Sequence, residues 1–373
     1  MKSNPYRRFV FLFLAVSGIP ILLLAFLNWM IDPFDYFQSP RHKWNTVKIA
    51  WEKQQRLHQA LEITRQKPEA IFLGSSRLMA GLDPADFSRM TGLKAYNAGF
   101  AGASMEEIYH YFEHALHHQP HLKVVVVGLD LFAFGKNKRP QKDFSEARLK
   151  NGTFEWKNSL SILMSKTALR SSFDTIRENL NGQALPYFLP NGLYNPAVID
   201  SPNNEYLVKG DLAYVKMIFE NTDFYYRFSL GENKIQLFKQ MVQQCQEKGI
   251  ALKVFFCPSK AIYWESLYRK ELWPVLEELK RKLSAIHPIW DFSGFNCVTT
   301  QALEATASPL YYECSHFRPF VGNLILQKII GFSADPADFG YLLTNETVDA
   351  VLEQIKQDRV RWLKTAPPVI SQL

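Results

Sequence analysis

Residues 9–31 form an apolar stretch without a charged side chain, and this stretch limits what the rest of the chain can fold into. A helix needs ~20 apolar residues to cross the hydrocarbon core of a bilayer, so the stretch is long enough to span a membrane once. Pro20 follows Gly18 closely and predicts a bend, which membrane helices tolerate. No second stretch of this length occurs, so we expect the remaining residues to fold on one side of the membrane.

The charges that flank this stretch predict its orientation. Lys2, Arg7 and Arg8 precede it, so the positive-inside rule places residues 1–8 in the cytoplasm. A cleaved signal peptide is the alternative, but its apolar region is normally shorter and ends in small residues, whereas bulky Trp29 stands in that place here. We therefore expect a single-pass protein of the bacterial inner membrane, with the bulk of the chain in the periplasm.

The formal net charge of +7 at pH 7 raises the question of nucleic-acid binding. The basic residues are scattered, however, and a location outside the cytoplasm argues against a nucleic-acid partner. An anionic lipid or polymer is the better partner for this charge. The four cysteines lie far apart without metal-site spacing, so we predict neither a metal nor a cofactor, and disulfide pairing is left open.

Short apolar runs alternate with longer segments of helical periodicity. The predicted strands cover residues 70–73, 94–97, 123–127, 250–257 and 289–292. The predicted helices cover residues 51–66, 104–118, 233–248, 264–286, 320–330 and 345–364, the last capped by Asn345. Ser104 and Glu107 form a capping box. Strands separated by helices form parallel crossovers, so the sequence predicts an α/β fold, a three-layer α/β/α sandwich with a mainly parallel sheet, preceded by one transmembrane helix.

Polar or small residues follow three of these strands. Ser76 stands on the turn after the first strand, Gly102 follows the second, and Asp130 follows the third. Sites in parallel α/β sheets form at the carboxyl ends of the strands, so these positions are expected to lie close together. Far downstream, Glu313 precedes His316 by three residues. A serine, a histidine that takes its proton and a carboxylate that orients the imidazole are the parts of an activated nucleophile.

The order of these motifs resembles the SGNH (GDSL-type) hydrolase superfamily. The chain has Gly-x-Ser at residues 74–76, Asn-x-Gly-x-x-Gly at 97–102, Val-Val-Gly-x-Asp at 126–130 and acid-x-x-His at 313–316. Its anchor and late histidine are similar to the extracytoplasmic branch that contains the alginate O-acetyltransferase proteins and the D-alanyl transfer protein of teichoic acid synthesis. The resemblance covers roughly residues 70–130 and 250–330.

Position by position, the resemblance implies roles for individual residues. Ser76 matches the nucleophile, His316 its base and Glu313 the acid that orients the base. Glu313 stands where the family has an aspartate, but glutamate serves in other triads. The backbone N–H groups of Ser76 and Gly102 match the oxyanion hole, and the missing Cβ of glycine lets its N–H face the substrate.

Asp130 departs from the family pattern at the oxyanion hole. The family has an asparagine there, whose side chain donates to the oxyanion, whereas an ionised carboxylate only accepts hydrogen bonds and repels an oxyanion. Three interpretations stay open. Asp130 has a different role, or it is protonated, or the hole relies on the N–H groups of Ser76 and Gly102.

The residues around the nucleophile also have plainer interpretations. Ser75 and Ser76 could simply cap the helix that follows the strand. Arg77 could hold an anionic group of the substrate, or it could pair with Asp83 or Asp86, and the pairing is preferred.

Histidines are more often structural than catalytic. The Glu-x-x-His spacing favours a catalytic role for His316 over that default. His110, His114 and His117 share one helical face, which we interpret as a half-exposed helix rather than a metal site.

These patterns predict an order of segments along the chain. It runs from a cytoplasmic N-terminus (1–8) through the transmembrane anchor (9–31), a juxtamembrane helix and linker (32–68), a catalytic domain (69–134 with 232–335) interrupted by an insertion or lid (135–231), to a C-terminal helix (336–373). The predicted function is an acyltransferase or esterase acting on acyl groups, chiefly O-acetyl, of a cell-envelope polysaccharide through an acyl-serine. A membrane acyl-donor protein is the partner that transfer implies. The alternative is a non-catalytic polymer-binding or scaffold subunit.

Overall fold

A computed structural model of the chain describes residues 5–151, 156–201, 205–221, 224–301, 308–333, 335–368 and 370. Small parts of the predicted cytoplasmic N-terminus (including Lys2), lid, catalytic domain and C-terminal segment lie outside these ranges.

Helices and strands alternate through most of the described chain. The helices are α1 (Pro5–Ile31), α2 (Gln55–Gln66), α3 (Ser76–Gly81), α4 (Pro84–Thr91), α5 (Met105–His118), α6 (Glu146–Asn151), α7 (Trp156–Leu163), α8 (Lys166–Leu180), α9 (Pro196–Ile199), α10 (Glu205–Glu220), α11 (Glu232–Glu247), α12 (Ala261–Arg269), α13 (Trp273–Ser284), α14 (Pro319–Ile329) and α15 (Val348–Leu363). The strands are β1 (Ala70–Leu73), β2 (Ala95–Asn97), β3 (Val124–Leu129), β4 (Ala251–Phe256), β5 (Ile289–Asp291) and β6 (Tyr341–Leu343). The α/β class is confirmed.

The strands form one six-stranded sheet in the order β2-β1-β3-β4-β5-β6. Neighbouring strands from β2 to β5 pair in parallel, which confirms the mainly parallel sheet. Strand β6 was not predicted. It pairs antiparallel with β5 and places Leu343 opposite Ile289. A three-residue strand at a sheet edge is too short to show an alternating pattern.

Three predicted helices have different bounds in the structure. The helix predicted over 51–66 starts only at Gln55, and a 3₁₀ helix, Ile49–Gln54, precedes it. The segment predicted as one helix over 264–286 forms α12 and α13, and the chain turns between them at Glu271, whose φ is 57°. Pro274 requires a position in the first turn of a helix, so α13 has to start anew there. Asn345 does not cap the last helix. The Thr344 hydroxyl accepts the N–H groups of Glu346 and Thr347 instead, and this turn delays the start of α15.

The chain forms two compact units. The helical unit comprises Met1–Leu61 and Ser145–Tyr187, and the sheet unit comprises Glu62–Phe144 and Phe188–Leu373. Residues 135–231, predicted as a lid, are thus shared between both units. The core of the sheet unit joins side chains of the central strands to α14, and includes Phe72, Val126, Phe255, Val321 and Ile325.

Within the helical unit, α1 is long and apolar enough to span a membrane. Its Tyr6–Ile31 portion has a mean hydropathy of 2.7 in its most apolar window, and this window is not buried inside the protein. A signal sequence satisfies the same length and composition. The last turn differs from the rest, because Asn28 and Ile31 are buried. Asn45 and Lys48, from the segment predicted as a linker, donate to backbone carbonyls at this end of the helix.

Candidate active site

The turn after β1 presents two serines in different roles. Ser75 is the N-cap of α3, and its hydroxyl accepts the N–H of Arg77 at 3.2 Å. The plainer expectation of a capping serine is therefore met by Ser75. Ser76 is the first residue of α3, and its hydroxyl is not used for the cap. We refer to residues 74–77 as the nucleophile turn.

Glu313 and His316 lie on a short hairpin, residues 310–318, that we call the acid–base loop. Tyr311 and Phe317 form an antiparallel bridge, and the Arg318 N–H donates to the Leu310 carbonyl at 2.8 Å. Inside the hairpin, the Glu313 carboxylate accepts the backbone N–H groups of Ser315 at 2.8 Å and His316 at 2.9 Å. These bonds hold the carboxylate in one orientation.

The structure brings Ser76, His316 and Glu313 together in the order expected from the sequence. His316 Nδ1 makes a hydrogen bond with Glu313 Oε1, and His316 Nε2 lies 2.8 Å from Ser76 Oγ. Ser76 and His316 are 240 residues apart in the chain. Since one imidazole nitrogen contacts the carboxylate and the other contacts the hydroxyl, the arrangement can transfer a proton from serine to histidine.

A close contact between α3 and α14 sets the distance between the nucleophile turn and the acid–base loop. A Cβ on Gly322 would lie 1.8 Å from the carbonyl oxygen of Gly81, so only glycine fits at this crossing. Phe317, next to His316, also packs on Gly81. Each helix begins at the site, so their approach places Ser76 and His316 within hydrogen-bond reach.

The charge of Glu313 is stabilised by its neighbours. Glu313 is buried, and burial by itself raises the pKa of a carboxyl. The interaction with His316 and the two backbone N–H groups outweigh burial, so the pKa of Glu313 lies below its ordinary value of 4.5. The carboxylate is therefore ionised at neutral pH and can stabilise a protonated imidazole.

Asp130 lies beneath the nucleophile turn and contacts two of its residues. One carboxylate oxygen accepts the Ser75 hydroxyl at 2.5 Å, and the other accepts Arg77 Nη1 at 2.6 Å. Arg77 and Asp130 are only 5% and 1% exposed at their side chains. Burial works against the charge on Arg77, but Asp130 more than offsets it, and the pKa of the guanidinium lies above its ordinary value.

The expected pairing of Arg77 with Asp83 or Asp86 is wrong. Asp83 caps α4, where it accepts the N–H of Ala85 at 2.9 Å, and Asp86 pairs with Arg89. Local spacing suggested these partners, but Arg77 points into the protein and reaches Asp130 at the end of β3. A role for Arg77 in holding a substrate stays a prediction.

The Arg77 guanidinium also stacks on an aromatic ring. It lies 4.3 Å from the centre of the Tyr263 ring, and the Tyr263 hydroxyl is hydrogen-bonded to that of Tyr225. Burial raises the pKa of both tyrosines, so both hydroxyls are neutral beside the guanidinium. This buried layer supports the nucleophile turn from below.

Gly102, expected in the oxyanion hole, adopts a φ of 61°, which favours glycine. A Cβ at this position would lie 3.7 Å from Lys138 Nζ and 3.8 Å from the Phe224 ring. Lys138 was not expected near the site. Its buried ammonium lies 4.8 Å from the centre of the Phe224 ring. The basic residues at positions 136–139 were the available signal in the sequence.

Tyr214 is a further neighbour of the site that was not predicted. The Tyr214 ring, on α10, lies 6.1 Å from the His316 ring in an edge-on arrangement. Tyr214 lies in the segment predicted as a lid, whose sequence gave no indication of which side chains reach the site.

The histidines of α5 have different surroundings. His110 pairs with Glu113 at 3.2 Å, whereas His114 is buried. Burial lowers the pKa of His118 to about 4. Across the described ranges, no group of three or more His, Cys, Asp or Glu side chains could hold a metal ion. All four cysteines have free thiols.

No protein-family model matches the chain. No curated protein matches it at a significant level either. The contacts among Ser76, His316 and Glu313 are accordingly what carries a functional proposal for this chain.

Proposed function

We propose that the protein transfers or hydrolyses acyl groups through an acyl-serine intermediate on Ser76. His316 Nε2 takes the Ser76 proton while Ser76 Oγ attacks the acyl carbon, and Glu313 stabilises the imidazolium that forms. The imidazolium then protonates the leaving alkoxide. In the second half, an acceptor hydroxyl or water gives its proton to His316 and attacks the acyl carbon. His316 then gives this proton to the departing Ser76 Oγ, which returns the free serine.

The observation that carries this proposal is the continuous hydrogen-bonded chain from Glu313 through His316 to Ser76. Its Nε2–Oγ distance of 2.8 Å lies in the range that general-base catalysis needs. The contrast with Ser75 adds support. Ser75 accepts from Arg77 N–H and donates to Asp130, as a structural serine does, whereas Ser76 has the histidine as its partner.

We assign the oxyanion hole to the backbone N–H groups of Ser76 and Gly102. An oxyanion needs donors, and a carboxylate offers none. Both oxygens of Asp130 already accept hydrogen bonds, from Ser75 and Arg77. Asp130 therefore positions the nucleophile turn in our mechanism rather than contacting the oxyanion.

The SGNH-type three-layer sandwich is part of the same proposal. Helices α3 and α4 both contact α14, and α11 contacts both α5 and α13. Two separate groups of helices on one mainly parallel sheet are what a sandwich requires. Ser76, Gly102 and Asp130 all follow the carboxyl ends of neighbouring strands, where such folds place their sites.

We further propose that α1 stays attached and spans the inner membrane, with the remaining chain in the periplasm. The buried end of α1 supports retention, because Asn28 and Ile31 bond to residues that follow in the chain. Cleavage after α1 would leave the Lys48 ammonium, now 2.6 Å from the Ile31 carbonyl, without this acceptor. The acyl group, chiefly acetyl, would pass from a membrane-associated donor protein to a cell-envelope polysaccharide.

The test uses full-length protein in detergent with a chromogenic acetyl ester and a serine-directed phosphonate. We expect ester turnover, its loss on phosphonate treatment, and a mass-spectrometric adduct on Ser76 with none on Ser75. An acetylated oligosaccharide product, formed when an oligosaccharide is added, would identify transfer rather than hydrolysis alone. Absence of both turnover and adduct would favour the non-catalytic polymer-binding subunit instead.

A further inference from the structure

The helical unit contains an open groove with a basic lining. Its lining residues are Lys53, Lys166, Thr167, Arg170 and Ser171. Lys166, Thr167 and Arg170 are exposed. Lys53 is also exposed and pairs with Asp174 at 3.0 Å. Because three cations line the groove beside one carboxylate, the groove carries an excess of positive charge and suits an anionic ligand.

The groove lining also includes a buried hydroxyl that is not used inside the described part of the protein. Ser171 is fully buried, and its Oγ has no hydrogen-bond partner among the described residues. Its neighbour Ser172 is also buried but donates to Asn28 Oδ1 at 3.0 Å. Buried hydroxyls are normally bonded, so the Ser171 hydroxyl is available to donate to an acceptor in the groove. Together with three cations, a hydroxyl donor is typical of phosphate recognition.

The groove lies on the helix that contacts the end of α1. Besides the bond from Ser172, Asn28 donates through Nδ2 to the Leu163 carbonyl at 2.8 Å. Asn28 belongs to the last turn of α1, which ends at Ile31. If α1 spans the bilayer, its last turn lies at the outer interface, so the residues beside it lie at the depth of lipid headgroups.

The outward face of α8 alternates cations with apolar side chains. Lys166, Arg170, Phe173, Arg177 and Leu180 recur at spacings of four and three residues, which places them on one face of the helix. Phe173 and Leu180 are each 57% exposed. Exposed apolar side chains interleaved with cations are typical of helices that lie in a membrane interface.

We propose that this groove binds the phosphate-bearing headgroup of an anionic phospholipid. Lys166, Arg170 and Lys53 neutralise the phosphate, the Ser171 hydroxyl donates to one of its oxygens, and Phe173 enters the adjoining acyl region. The ligand is held without any covalent step. This assignment rests on the proposed membrane anchoring and is independent of the catalytic triad.

The first test measures binding of phosphatidylglycerol and of zwitterionic phosphatidylcholine to full-length protein in detergent micelles, by native mass spectrometry. We expect preferential binding of phosphatidylglycerol. Lys166→Gln/Arg170→Gln should weaken it roughly tenfold or more, since each basic residue near an anionic headgroup contributes about a fivefold factor. The matched control, Lys239→Gln/Lys248→Gln, removes two exposed lysines of the sheet unit and should bind as the native protein does. Equal binding by both double variants would overturn the proposal.

The second test separates a built site from diffuse attraction. Ser171→Ala keeps every charge but removes the hydroxyl that donates to the phosphate in our proposal. We therefore expect this variant to bind phosphatidylglycerol several-fold more weakly. Unchanged binding in Ser171→Ala would overturn the site. Inorganic phosphate is the competitor, and its displacement of lipid together with a lost preference for phosphatidylglycerol would assign the groove to free phosphate and overturn the lipid assignment.

Ester hydrolysis measured on the same native sample keeps the two proposals apart. Native protein that binds phosphatidylglycerol through the groove but hydrolyses no ester would contradict the triad and leave the groove assignment standing. Protein that hydrolyses the ester and shows no lipid preference would contradict only the groove.

Discussion

The nucleophile turn and the acid–base loop meet at one hydrogen bond, but different interactions hold them in place. The turn rests on buried charge, in which Asp130 contacts both Ser75 and Arg77. The acid–base loop is held by its own backbone, through a hairpin and two N–H groups that bond Glu313. One half thus depends on side chains from distant strands, and the other is organised within a few residues.

This difference predicts how each half responds to substitution. Removing one partner of a buried ion pair leaves an uncompensated charge, so changes beneath the turn should affect stability as well as chemistry. In the loop, a glutamine at position 313 keeps one acceptor oxygen and so one of the two backbone bonds, and it leaves no buried charge without its partner. Changes there should therefore affect chemistry more than folding.

The largest expected effect on rate comes from the contact between Ser76 and His316. Ser76→Ala and His316→Ala should each lower kcat/KM for an acetyl ester by ~10³-fold or more, and the double variant should be hardly worse, because the two residues act as one unit. The measurement is initial-rate kinetics on the purified full-length protein.

Ser75→Ala is the matched control for that experiment. It removes the same hydroxyl one residue away, so we expect a loss of about 1 kcal/mol of stability from the missing cap and a much smaller loss of rate. Full activity in Ser76→Ala, or equal losses in both serine variants, would refute the assignment of Ser76.

The next largest effect should come from Glu313→Gln, which keeps the shape of the acid but removes its charge. We expect kcat to fall by ~10²- to 10⁴-fold, since the imidazolium loses its stabilising charge, with a small change in KM. A change in KM with an unchanged kcat would contradict this role.

The pH dependence of folding checks the same residue by a different measurement. The pKa of Glu313 is below 4.5 in the folded protein, so its contribution to stability is complete at pH above 4.5 and is lost as pH falls through the folded value. The difference in unfolding free energy between native protein and Glu313→Gln, measured by denaturant titration, should therefore stay level from neutral pH to about 4.5 and shrink below it. A stability difference that already declines near pH 6 would contradict a lowered pKa for Glu313.

Asp130→Asn tests the other half of the comparison, with an intermediate effect on rate. Arg77 would stay buried without its counter-charge, and breaking a buried pair costs about 3–5 kcal/mol. We expect lower stability together with roughly tenfold slower ester hydrolysis, because the turn loosens. Denaturant titration and kinetics measure the two effects.

A double variant provides the control for Asp130. Arg77→Met/Asp130→Asn removes both charges and should recover part of the lost stability. If Asp130→Asn instead speeds hydrolysis at unchanged stability, then Asp130 faces the oxyanion and our positioning role is wrong.

The smallest expected effect concerns the helix contact that sets the spacing of the two halves. In Gly322→Ala the new methyl meets the Gly81 carbonyl, so α14 has to shift, at a cost of about 1–3 kcal/mol. We expect a several-fold lower kcat as His316 moves with the helix. Asn323→Ala, the next residue on α14, is the control and should change stability by under ~0.5 kcal/mol. Equal stability and equal kcat in Gly322→Ala and Asn323→Ala would show that this contact does not set the position of His316.

Much of the sheet could be predicted because local patterns are strong in its central strands. The run Val124–Leu129 and the buried β1 are apolar throughout, as parallel strands covered on both faces must be. The Ser104–Glu107 capping box formed as expected. The edge strand β6 and the break between α12 and α13 were missed, since a sheet edge and a helix break depend on neighbours that spacing does not reveal.

The sequence by itself determined the apolar helix α1 and the alternation of strands and helices from which a mainly parallel sheet was expected, because both depend on local patterns. Ser76, Gly102, Glu313 and His316 became candidates through the order of the motifs and the family resemblance that this order carries. Tertiary structure alone decided that His316 reaches Ser76 across 240 residues, and that Ser75 rather than Ser76 serves as the cap. It also decided the partner of Arg77. Nearby aspartates were available, but a buried guanidinium needs a desolvated counter-charge, and only the folded sheet places Asp130 beneath it.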